Sequence, residues 1–134
     1  MIIFLKALLA MVPLMVALDL LWLGVVMKDF YRTHIGHLMG GTVVWGPALV
    51  FYVLYAVGLV YFAVLPAHEA SSWMKALLLG VFLGVFAYGT YDLTNQATLR
   101  DWPLVVTVLD IAWGACISGA VSVAGYFALK AFGA

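Results

Sequence analysis

Long apolar runs separated by short polar breaks organise the chain. They cover residues 3–27, 43–65, 73–94 and 102–130. A helix needs about 20 mostly apolar residues to cross the hydrocarbon layer, and every run reaches that length. The pattern predicts an all-α polytopic membrane protein. Its four transmembrane helices would form an antiparallel bundle, a single domain over residues 1–134. An even number of crossings puts both termini on one side. Pro47 and Pro103 fall in first helical turns, where a missing N–H does no harm. Asp101 is the expected N-cap of the last helix. Pro13 lies inside the first run and predicts a kink, either packed or acting as a hinge near Asp19. That run is too long for a signal-peptide core and has no clear small-x-small cleavage site, so a retained helix is expected.

The breaks differ in character. Residues 66–72 read as a turn. Residues 28–41 are longer and semi-amphipathic. Tyr31, Ile35 and Leu38 share one helical face; Phe30, His34 and His37 share another. A short interfacial helix between helices 1 and 2 is expected here, ended by Gly40-Gly41.

Composition narrows the class further. The chain is 67% hydrophobic and 9% charged, with mean hydropathy +1.16. Soluble domains carry roughly 25% charged residues, so the excess apolar surface needs lipid as its solvent. A net charge of zero argues against nucleic acid and leaves membrane lipids as the expected partners. The single cysteine, Cys116, excludes an internal disulfide and a CxxC site, and reads as a packing residue. No cofactor motif is present. Lys and Arg number three at the terminal side (Lys6, Lys75, Lys130) and three at the other (Lys28, Arg32, Arg100), so loop charge sets no orientation.

Small residues predict which helices touch. Gly80 and Gly84 lie four apart in the third run. Gly114, Ser118 and Ser122 form one face of the fourth, with Ala115 and Gly119 beside it. In lipid such faces let backbones approach, so the third and fourth helices are expected to pack closely.

The candidate chemistry is acidic and one-sided. Asp19 sits in Leu18-Asp19-Leu20-Leu21-Trp22-Leu23-Gly24, and Asp110 in Leu109-Asp110-Ile111-Ala112-Trp113-Gly114. A charged group at mid-helix costs roughly 2.5–3.5 kcal/mol to insert, so intramembrane acids default to function. Asp19 lies roughly 12 Å, and Asp110 roughly 10 Å, from helix ends on the same side. The two can meet there, sharing a proton or held ionised by Arg32 or Arg100. Asp92 joins them from the end of the third run. Tyr88 shares its face and Tyr91 shares one with Asn95. Arg100 and Asp101, with Arg32, His34 and His37, come from the loops on that side. Trp113 is a candidate ligand wall, and Trp22 is either an anchor or part of the site. His34 and His37 lack any metal-ligand spacing with a third residue, so no metal is expected. The expected ligand-binding set is Asp19, Trp22, His34, His37, Tyr88, Tyr91, Asp92, Asn95, Arg100, Asp110 and Trp113; no residue is singled out as catalytic.

The run Tyr88-Gly-Thr-Tyr91-Asp92-Leu-Thr-Asn95-Gln-Ala-Thr98-Leu-Arg100-Asp-Trp102-Pro103, followed by Asp110-Ile-Ala-Trp113-Gly114, resembles a bacterial family. So does Leu18-Asp19-Leu-Leu-Trp22-Leu-Gly24 with Phe30-Tyr31. The family is catalogued as domain of unknown function 2177. The resemblance covers essentially the whole chain. It implies a small multi-pass protein of the inner (plasma) membrane and brings no established activity. The residues themselves support three functions. The first is binding of a lipid or small amphiphile. The second is proton-coupled transport through an intramembrane Asp. The third is lipid modification, the weakest because no nucleophile elbow or phosphate loop is present. A bundle of this size can require a homo-oligomer to enclose a cavity.

Overall fold

The computed structural model describes residues 1–133, and among them the regular structure is all helical. Helix α1 (Ile2–Leu21) runs unbroken through Pro13 and widens into a π-turn at Trp22–Val26. Helix α2 (Lys28–Ile35) follows, then a 3-10 turn at Gly36–Leu38. Helix α3 (Trp45–Leu59) continues through a π-turn, Val60–Val64, into α4 (Leu65–Glu69). Helices α5 (Trp73–Thr98) and α6 (Leu104–Ala131) complete the chain. Four stretches are long and apolar enough to span a membrane: Ile2–Val26, Trp45–Glu69, Trp73–Thr98 and Leu104–Ala131.

Several boundaries depart from expectation. The second span does not stop at 65 but reaches Glu69, which shrinks the expected 66–72 turn to residues 70–72. Pro66 cannot donate to the carbonyl of Phe62, and the π-turn just upstream absorbs that defect. The third span reaches Thr98 rather than 94, and along it Thr90, Thr94 and Thr98 return their hydroxyls to carbonyls one turn back. Asp101 does not cap α6. It takes a left-handed turn conformation at φ 57°, and Pro103 holds the N-cap position. Trp102 precedes a proline and is steered away from helical geometry, so the helix starts later. The expected Tyr31–Ile35–Leu38 face splits, since α2 ends at Ile35. Tyr31 is buried and Leu38 is exposed.

The closest helix pair is α5–α6, and its seam advances by four residues on each side. Gly80 faces Ser122, Gly84 faces Ser118 and Gly114, and Gly114 faces Tyr88. A Cβ on Gly84 would stand 2.1 Å from the Gly114 carbonyl oxygen, closer than any real contact. Only glycine fits there, because backbone meets backbone. Helix α1 crosses the other side of α6: Met11 lies on Gly125, and Lys6 Nζ donates to the Phe132 carbonyl at 3.0 Å. The partners descend on one helix as they climb on the other, so α6 runs opposite to both neighbours. Between them sits a core of Met11, Met15, Leu59, Val60, Ile117 and Val121. Leu9, Leu54 and Phe86 point outward, 76%, 66% and 65% exposed, an apolar exterior suited to lipid.

Candidate functional site

The α5–α6 seam turns polar at one end. One more step of four beyond Tyr88 and Gly114 brings Asp92 to Asp110. Asp92 is completely buried, and neither carboxyl oxygen meets an N–H or O–H donor among the described residues. What it meets is the Asp110 carboxyl. Two carboxylates side by side repel, and a proton on either one would let it donate to the other. Asp19 and Asp110, which the sequence allowed to meet, have different partners. The glycine seam fixes the register of α5 on α6, and that register selects Asp92 as the partner of Asp110.

Asp19 has a different environment. It is buried, and its Oδ1 accepts the Trp113 Nε1–H at 3.0 Å. Tyr52, from α3, approaches the same carboxyl. On the other side, Trp22 Nε1 donates to the Tyr31 hydroxyl at 3.1 Å, and that hydroxyl donates to Asp110 Oδ1. The two indoles stack on each other, 4.3 Å between centroids and 3° from parallel. Each helix thus carries Asp-x-x-Trp, and each tryptophan serves the acid of the other helix. Trp113 does so directly, Trp22 through Tyr31. The π-turn at Trp22–Val26 is where α1 presents its indole to this stack.

Tyr31 secures α2 to the bundle. It packs with Trp102 and Val106, while Trp22, Met27, Phe30 and Ile35 surround that group. Burial, then its bond to Asp110, pushes the phenol's ionisation above the ordinary tyrosine value. Tyr31 therefore stays a donor. Deeper in the bundle, the Tyr55 hydroxyl bonds the Ser118 hydroxyl and ties α3 to α6.

These groups border a cavity of about 770 Å³ between α1, α2, α3, α5 and α6. The volume matches small-molecule sites. Of the expected residues, Asp19, Trp22, Tyr88, Tyr91, Asp110 and Trp113 line it. Asp92 lies behind Asp110. His34, His37, Asn95 and Arg100 do not line it, which corrects their expected convergence. His34 turns back on its own helix, its Nδ1 at 2.9 Å from the Phe30 carbonyl and its ring on the Phe30 ring. His37 is exposed; Arg100 lies beyond the end of α5, and Asn95 sits beside Tyr91 outside the cavity. Neither arginine pairs with the acids. Among the described residues no cluster of three His, Cys, Asp or Glu is placed to hold a metal.

Lys28, Tyr31 and Tyr52 line the cavity but are not among the residues singled out from sequence; Arg32, expected only as a partner for the acids, lines it as well. One signal was available. Lys28, Tyr31 and Arg32 follow the π-turn at helical spacing, so one face of α2 carries all three. Tyr52 had none, because a phenol in an apolar run reads as an interfacial anchor.

The family model described as Predicted membrane protein (DUF2177) matches residues 4–127. The chain belongs to that family. No curated protein matches it, and no solved structure does.

Proposed function

We propose that this family member binds a lipid or small amphiphile within the plane of a bacterial inner membrane. The carrying observation is the cavity. Apolar side chains such as Leu23, Ile35, Met39 and Val43 share its lining with Asp19, Asp110 and several tyrosines. A polar group can enter where the hydroxyls and carboxyls lie, while its chain rests between helices whose outer faces already suit lipid. Native mass spectrometry with lipidomics on detergent-purified protein tests this. A defined lipid should accompany the wild type and be lost from Ala48→Trp, which fills the cavity from α3. A lipid retained equally by both would overturn the reading.

The Asp92–Asp110 contact favours a second reading, proton-coupled transport. A proton held by a buried pair, one member of which faces the cavity, can leave when a ligand arrives. Proteoliposomes loaded with a pH-sensitive dye test it. Substrate-dependent proton flux lost in Asp110→Asn supports it, and flux indifferent to that substitution removes it.

A further inference from the structure

Basic and acidic side chains line the same cavity, and they are not paired with each other. Lys28 and Arg32 lie four apart on α2 and both line it. Asp19 lines it from α1, and its neighbours are Trp113 and Tyr52 rather than any cation. Asp110 lines it too, engaged by Tyr31 and Asp92. A purely anionic ligand would satisfy α2 and face an ionised Asp19 unfavourably. A purely cationic ligand would do the reverse. A ligand with both charges answers each.

Resting on the amphiphile reading above, we propose that the cavity takes a zwitterion whose ammonium sits at Asp19 and whose phosphate sits on Lys28 and Arg32. The Asp19 end is aromatic. Trp113 donates to that carboxyl, and Tyr52 and Tyr88 line the same cavity. An ionised Asp19 carboxylate supplies the counter-charge that an ammonium needs. The α2 end offers two exposed basic side chains on one helical face, suited to phosphate oxygens. Ammonium joined to phosphate by a short linker is the chemistry of zwitterionic phospholipid headgroups and of free phosphoethanolamine. The aromatic acid pocket and the basic face lie along one cavity wide enough for such a group.

The test uses full-length protein, delipidated in a neutral maltoside detergent. Retention is read by native mass spectrometry for phosphatidylethanolamine, phosphatidylglycerol and diacylglycerol with identical acyl chains. Free phosphoethanolamine serves as a separate probe. Phosphatidylethanolamine should be retained about tenfold better than the other two lipids, and Asp19→Asn should reduce that preference to near unity. The paired change Lys28→Gln with Arg32→Gln should do the same; both positions are exposed, so the fold does not depend on them. Equal retention of all three lipids would overturn the zwitterion assignment and leave amphiphile binding standing. So would a preference that survives both variants. Free phosphoethanolamine binding as tightly as the lipid would support the zwitterion chemistry and overturn the amphiphile reading. Retention of no probe would overturn both.

Discussion

The two ends of this bundle use the same α5–α6 seam for opposite purposes. Toward the termini, Gly80, Gly84, Ser118 and Ser122 let two backbones touch, and α1 and α3 close over them with methionine, leucine and valine. Toward the other end the same four-residue step delivers Tyr88 and Gly114, then Asp92 and Asp110. There α1 widens into a π-turn, α3 begins with exposed residues, and space remains between helices. Closed packing gives the seam its register, and that register determines which polar groups meet at the open end. Rigidity in one half is thus the condition for a defined site in the other.

The largest effect should come from breaking the closed end. Gly84→Leu drives a side chain into the Gly114 backbone, and size-exclusion chromatography should show no monodisperse protein. Gly84→Ala should still cost roughly 1–3 kcal/mol in a denaturation series. Gly46→Ala, which meets nothing within 4 Å, should behave as wild type. Normal behaviour of Gly84→Leu would mean the seam does not set the register.

At the open end, Trp113→Phe keeps a ring in the stack but strips Asp19 of its indole donor. Losing a donor from a buried acceptor costs about 1–3 kcal/mol, toward the lower end here because Tyr52 stays beside the carboxyl. Trp22→Phe should cost less, because the Tyr31 hydroxyl it abandons still serves Asp110. Unfolding of the two variants side by side measures that order. The reverse order would contradict the exchange of indoles between helices.

Smaller still is the tie between Lys6 and the Phe132 carbonyl at the far end of the closed half. Lys6→Met should cost under about 1 kcal/mol, since the bond is exposed to solvent. A larger loss would assign the terminal end a share of stability that the packed seam is expected to hold.

Asp92→Asn should leave the fold in place, because an amide N–H can still face the Asp110 carboxyl. Its signature is spectroscopic. A carboxylic acid C=O band in the infrared difference spectrum should disappear in this variant. Its persistence would show that the proton resides elsewhere.

The spans were legible from the sequence because apolar run length is a local property and lipid demands it. The seam was legible for a similar reason: Gly80, Gly84, Gly114, Ser118 and Ser122 recur at helical spacing on their own helices. The buried acids were conspicuous too, since few polar residues interrupt these runs. Their partners were not. Helical periodicity says which residues share a face. It does not say which neighbour that face meets, so His34, His37, Asn95 and Arg100 were expected at a site they do not line. Tyr31 and Tyr52 were passed over although they reach the acids. The sequence by itself determined the four spans, the close helix pair and the intramembrane acids. Helix packing brings Asp92 to Asp110, sets each tryptophan toward the other helix's aspartate, and opens a cavity beside them. Those facts depend on register between helices far apart in the chain, which packing alone sets.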